Sequence, residues 1–185
     1  MIHDIVVALW FFIPAGVANV APVLASKVPL VTRLNAPIDG GAMLGGKRLL
    51  GENKTWRGIV AGIILGTIVL ALQQAIVASS PQFIRYLMPL DFTALPTLVL
   101  GSLFAIGALG GDAIESFMKR RLDIKPGASW VPFDQIDYIV GALLLTAPIA
   151  RLSWQQSAWA IILWMAIHFG AAYVGYLLKL KKTPI

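Results

Sequence analysis

Asp112, Asp134 and Asp137 stand in one short stretch with Lys119, Arg120, Arg121 and Lys125 between them. The stretch is Gly111 to Asp137, GDAIESFMKRRLDIKPGASWVPFDQID. Its 27 residues hold nine of the chain's 24 charged side chains, and the flanking runs are apolar. Charges wedged between membrane-length apolar runs are costly, so the stretch reads as a functional site. On a helix, Asp112, Ser116 and Lys119 fall at i, i+4 and i+7 and share a face. Asp134 and Asp137 are spaced i, i+3 at the head of the next apolar run. Brought together from two helices, the three aspartates form an oxygen-only site. Such a site suits Mg²⁺, commonly held by one or two carboxylates plus substrate phosphates. The cations beside it can neutralise a triphosphate, so the chemistry expected is chemistry on phosphates.

Each residue also has a plainer use. Asp134 follows Pro132 and can serve as a helix cap, a role that suits Asp137 less well. Glu115 and Lys119 form an i, i+4 pair in the favourable order, which reads as a surface ion pair. The basic residues also fit retention on the positive side of a membrane and contact with lipid headgroups. Trp130 can stack on a base or sit at a membrane interface. His3 and His168 lie in apolar runs and are placed far from the cluster, so a His-based site is not expected. The chain has no cysteine, which excludes thiolate sites and disulfides.

The elements that must position these residues are membrane helices. The 185 residues are 58% hydrophobic and only 13% charged, against roughly half and a quarter in soluble domains. Five segments approach the roughly 20 apolar residues needed to cross a bilayer: 5–24, 59–77, 95–111, 132–150 and 158–178. The expected fold is an all-α integral membrane protein of five transmembrane helices, forming a single domain over 1–185. The first run lacks a preceding positive region and reads as a permanent span. Helical periodicity continues from the third span through Ala113 to Arg121, predicting one long helix with a charged end. Gly58, Gly62 and Gly66 repeat every four residues, which marks helix packing.

Loop charges predict the orientation. Six Lys or Arg lie between Lys27 and Arg57, four between Lys119 and Lys125, and three in the tail at Lys179, Lys181 and Lys182; only Arg85 and Arg151 lie on the opposite side. The N-terminus is expected outside and the C-terminus inside, with cytoplasmic loops 26–57 and 119–131. The net charge of +6 is thereby a topology signal, and no nucleic-acid partner is expected. The first loop is long and rich in Gly and Pro, and reads as a flexible cover over a site or as a linker. Lys54, Thr55 and Arg57 stand at the start of the second span, where a helix N-terminus favours anions. GENKTWRG, Gly51 to Gly58, does not have phosphate-loop spacing. In the first span Pro14, Gly16, Asn19 and Pro22 interrupt the helix. Asn19 can bond backbone groups freed there or reach a polar site.

These motifs resemble the CTP-dependent phosphatidate cytidylyltransferases of the CDP-diglyceride synthase superfamily. The family signature runs Ser-x-x-Lys-Arg, then a Lys-Asp, a Pro, a His-Gly-Gly and a final Asp. Here Ser116, Lys119, Arg120, Lys125, Pro132 and Asp137 occupy corresponding positions. The chain departs at Lys125-Pro126 and at Asp134-Gln135. The short five-span form, PAGVAN (Pro14 to Asn19), GENKTWRG and PFDQID (Pro132 to Asp137) look like the CDP-archaeol synthase subgroup. The resemblance implies a membrane enzyme that transfers CMP from CTP to a lipid phosphate, unsaturated archaetidic acid, with Mg²⁺ and release of pyrophosphate. For that reaction Asp112, Asp134 and Asp137 are expected as metal ligands from their spacing, with Asp112, Asp137 and Lys119 as the catalytic residues. Lys54, Thr55, Arg57, Ser116, Lys119, Arg120 and Lys125 are expected at the nucleotide phosphates, and Asn19 beside the lipid. Phosphatidic acid is the alternative acceptor. A small transporter would spread ionisable groups through its span centres, and here they gather at one side. A non-enzymatic assembly factor is the remaining alternative. The sequence says nothing of oligomeric state.

Overall fold

The computed structural model describes residues 1–28, 34–80, 82 and 91–179. Arg33, Arg85, Lys181 and Lys182 of the charge count lie outside them. Among the described residues the fold is five helices: α1 (Ile2–Ser26), α2 (Trp56–Ser79), α3 (Thr97–Arg121), α4 (Phe133–Thr146) and α5 (Trp154–Leu177). A small antiparallel hairpin, β1 (Met43–Leu44) and β2 (Lys47–Arg48), lies in the loop between α1 and α2.

Four helices, α1, α2, α3 and α5, are long and apolar enough to cross a membrane. The surface of α2 agrees with this. Val60, Ile64, Ile68, Leu72 and Ile76 recur every four residues and are exposed, an apolar stripe that water would not favour and lipid would. The run expected over 132–150 instead holds the 14-residue α4, about 21 Å long at 1.5 Å per residue. Its helix ends at Thr146, with Ala147 as the cap and Pro148 next, a residue that cannot continue a helix. The long helix expected through Arg121 is present as α3, unbroken for 25 residues.

Small residues let these helices approach. A Cβ added at Gly62 would lie 2.7 Å from Leu109 of α3, and one at Gly58 would lie 3.1 Å from Pro22 of α1. The glycine stripe of α2 is therefore a packing face, as its spacing predicts. Phe11, Phe12 and Phe104 are fully buried where α1 meets α3, with the rings of Phe11 and Phe104 edge to face at 4.9 Å. Pro14 removes one helical hydrogen bond and frees the carbonyl of Trp10. Gln73 of α2 donates its Nε2 to that carbonyl at 2.7 Å. This buried glutamine fills the role considered for Asn19, which is directed elsewhere.

The start of α2 is fixed by Thr55, whose Oγ1 accepts the Gly58 N–H at 3.2 Å. Thr55→Ala is expected to destabilise the protein by about 1 kcal/mol, read as a lower thermal midpoint in detergent. An unchanged midpoint would show that the cap contributes nothing.

Candidate active site

The site begins with two helices in unusually close contact. A Cβ at Gly111 of α3 would lie 2.1 Å from the Asp137 carbonyl oxygen, and one at Gly141 of α4 would lie 2.1 Å from the Gly107 carbonyl oxygen. Only glycine permits this approach. It brings the first two turns of α4 against the polar end of α3, so Asp137 faces Asp112 and Glu115. One carboxylate oxygen from each of the three lies within 4.8 Å of the others.

Two lysines balance this acidic group. Lys54 Nζ donates to Asp112 Oδ2 at 2.6 Å, reaching across from the loop before α2. Lys119 Nζ lies 2.9 Å from Glu115 Oε1 and 2.6 Å from Asp134 Oδ1. The two carboxylate oxygens facing Lys119 are buried, so one ammonium is shared between two acids away from water. The Glu115–Lys119 pair exists as the spacing predicts, but it is buried, not on the surface. The head of α4 covers that face of α3.

The expected trio of aspartates is thus arranged differently. Glu115 stands with Asp112 and Asp137, while Asp134 pairs with Lys119 and accepts the Trp130 N–H through Oδ2 at 3.0 Å. Asp134 caps no helix end through its side chain; it holds the loop that precedes α4. The signal for Glu115 was present, because Asp112 and Glu115 are i, i+3 on one helix face. Three carboxylates without a nitrogen or sulfur donor among them are a set that would suit a hard cation.

A cavity of about 830 Å³ opens beside the carboxylates, within the range of small-molecule sites. Lys54, Asp112, Ser116, Lys119, Arg120, Lys125, Asp134 and Asp137 all line it, as does Asn19 from α1. Arg120 also donates from Nη2 to the Ile124 carbonyl at 2.6 Å, which folds the loop after α3 back over the cavity. A second cavity of about 380 Å³ adjoins the first. Pro22, Val23, Ile59, Ile106 and Leu109 give it an apolar wall, and it shares Asn19, Asn53, Lys54 and Asp112 with the larger space. Thr55 lines this second cavity and Arg57 lines neither. His168 of α5 lines the large cavity, with its ring 6.1 Å from that of Tyr138. This corrects the reading of His168 as remote from the cluster. Nothing in the apolar run around it marks the residue; only the packing of α5 brings it there.

The loop from α1 to α2 is ordered by one buried acid. Asp39 accepts the N–H groups of Gly41, Leu50 and Gly51 and a guanidinium hydrogen of Arg48. Burial pushes its carboxyl upward, but the backbone donors and Arg48 outweigh this and hold it below the usual carboxylate value. Arg121 at the end of α3 donates to the carbonyls of Leu44 and Arg48 and binds the hairpin from the other side. The described part of the loop is held by these bonds and lines the cavity through Lys47, Arg48 and Lys54.

The sequence pattern of the CarS-like family, CDP-archaeol synthase, matches residues 1–185. The chain belongs to the CDP-archaeol synthase family. The CDP-archaeol synthase of Thermococcus gammatolerans is 37% identical over 179 residues, covering 96% of this chain and 94% of that protein. That of Halobacterium salinarum is 35% identical over 191 residues, covering 100% and 98%. A solved structure described as an intramembrane enzyme for archaeal membrane lipids biosynthesis superposes with a TM-score of 0.69 at 30% identity, over 89% of this chain and 91% of that one. Membership in the CDP-archaeol synthase family agrees with the resemblance drawn from the motifs, and the structural neighbour agrees with a multi-pass membrane enzyme.

Proposed function

We propose that this chain transfers CMP from CTP to a lipid phosphate, with unsaturated archaetidic acid as acceptor, giving CDP-archaeol and pyrophosphate. One observation carries the reading: a carboxylate cluster paired with two lysines lines a polar cavity, and its Asp112–Lys54 pair also lines an adjoining apolar one. The polar cavity suits a nucleoside triphosphate and the apolar one a lipid, and the residues they share are where the two would react.

In this reading an oxygen of the lipid phosphate attacks the α-phosphorus of CTP, and pyrophosphate departs. The nucleophile is already anionic at neutral pH, so the protein needs no strong base. Its work is alignment and charge neutralisation. Asp112, Glu115 and Asp137 would hold Mg²⁺, which supplies charge neutralisation at the reacting phosphates when bound. Asp134, the third aspartate of the sequence reading, keeps Lys119 oriented. Lys119, Arg120 and Lys125 bind phosphate oxygens from one side, with Ser116 beside them. Lys54 stands at the junction and serves both substrates. Asn19 borders the lipid, and Thr55 acts by fixing the start of α2. Arg57 follows in the first turn of α2 and contributes positive charge near that end. The whole chain acts as one domain, with α4 as a short fifth span. The N-terminus lies outside, and the loops at 26–57 and 119–131 lie on the cytoplasmic face, where CTP is available; the excess of basic residues in those loops supports this.

The test is direct. Purified protein in detergent is incubated with labelled CTP, Mg²⁺ and either archaetidic acid or phosphatidic acid. CDP-lipid formed mainly from the archaeal acceptor is expected. Product from phosphatidic acid alone would change the substrate, and no product from either would sink the enzyme reading.

A further inference from the structure

The mechanism above leaves Asp39 and Arg48 without a task, although both are built with care. The Asp39 side chain has 0% solvent exposure. Its Oδ1 accepts the Gly41 N–H at 3.0 Å and Arg48 Nη2 at 3.0 Å, while Oδ2 accepts the Leu50 N–H at 3.1 Å and the Gly51 N–H at 3.5 Å. The local turn does not need a charge, since an asparagine makes the same side-chain-to-backbone turn. What the carboxylate adds is a second acceptor oxygen and an ionic tie to a residue nine positions away. A buried carboxylate is stable only when paired in this manner.

Arg48 is the partner, and its other face belongs to the large cavity. Its backbone is fixed independently of Asp39, because Arg121 Nη2 donates to the Arg48 carbonyl at 2.8 Å. One anchor therefore sets where β2 lies and the other sets where the guanidinium points. A guanidinium offers five N–H donors in a rigid fork suited to phosphate. Asp39 takes one hydrogen bond from it, and Glu52 approaches Nη1 only to 3.9 Å. Donors remain for a ligand.

The two cavities say which phosphates these are. Lys54 and Asp112 line both, so they stand where the α-phosphorus meets the lipid phosphate. Arg48 lines the large cavity and not the apolar one proposed for the lipid. We propose that Arg48 binds the phosphates that leave as pyrophosphate, and that Asp39 is the positioning residue that directs its guanidinium to them. The inference rests on the cytidylyltransferase reading and assigns the leaving-group end of that site.

The test measures CTP kinetics and product inhibition by pyrophosphate in the full-length protein, with CMP as a control that lacks both leaving phosphates. Arg48→Ala is expected to raise the pyrophosphate inhibition constant and the KM for CTP at least roughly tenfold, as for a lost charged hydrogen bond. Arg48→Lys, which keeps the charge but not the fork, should give a smaller rise in both. CMP inhibition and the KM for the lipid should stay within twofold of wild type. Asp39→Asn should move the same two constants in the same direction and spare the other two, which general loosening of the loop would not do. If Asp39→Asn does not fold, Asp39→Glu takes its place with the same expectation. Unchanged pyrophosphate inhibition in both Arg48 variants overturns the proposal, and equal losses for CMP and pyrophosphate do so as well. Unchanged constants in the Asp39 variant remove its positioning role. An inactive wild type, by contrast, overturns the cytidylyltransferase reading itself.

Discussion

Asp137→Asn is expected to lower kcat for CDP-lipid formation by roughly 10³-fold, the loss of about 4 kcal/mol of charge stabilisation in the transition state. The replacement is nearly isosteric, so it removes a charge and little else. Asp112 is already balanced by Lys54, and Glu115 by Lys119. Among the described residues Asp137 makes no ion pair with a lysine or arginine, and its Oδ1 accepts only its neighbour's N–H, that of Tyr138, at 2.6 Å. Asp137 is thus the member of the trio with no lysine or arginine paired to it among the described residues. The rate should be followed against Mg²⁺ concentration, where the variant is expected to need far more metal. Asp134→Asn provides the contrast. It leaves Asp112, Glu115 and Asp137 in place and should cost closer to tenfold, through Lys119. Normal CTP-dependent activity in folded Asp137→Asn protein would end the metal role assigned to it.

Gly111→Ala carries the second large effect, and it acts through geometry alone. The new Cβ would sit 2.1 Å from the Asp137 carbonyl oxygen and 2.8 Å from its carbonyl carbon. Backbone cannot yield as a flexible side chain does, so α4 must move away from α3 by about 1 Å or more. Asp137 moves with it, away from Asp112 and Glu115. A displacement of that size costs roughly 10²-fold in rate, and overpacking at such a contact costs about 1–3 kcal/mol in stability. Activity and thermal midpoint should therefore fall together. Gly170→Ala in α5, where an added Cβ meets nothing within 4 Å, is the control and should leave both unchanged. A wild-type rate in Gly111→Ala would mean that the close contact does not set the site.

The residues that resisted reading from sequence share a physical cause. Apolar length and loop charge are local properties, so the long helices and the polar end of α3 were visible in the residues themselves. The 14-residue length of α4 was less so, because an apolar run continues beyond the point where the helix stops before Pro148. At the site, helical spacing linked Asp112 to Ser116 and Lys119, but the same rule linked it to Glu115. Choosing between Glu115 and Asp134 requires knowing which carboxylate the α3–α4 contact brings beside Asp112 and Asp137. That is a tertiary fact. His168 and Arg48 are further cases. One reaches the cavity through the packing of α5, and the other lines it while bonded to Asp39 nine residues away.

The brevity of α4 has a consequence for where the reaction takes place. A 14-residue helix, about 21 Å long, falls short of a hydrocarbon layer of roughly 30 Å. In the proposed five-span arrangement, the start of α4 and its carboxylates would be drawn below the plane of the surrounding headgroups, or the bilayer would thin to meet them. Either way the lipid phosphate need not be hauled out of its leaflet. On that proposed arrangement the water-soluble nucleotide would descend instead, and the two reactants would meet at the lipid's own depth.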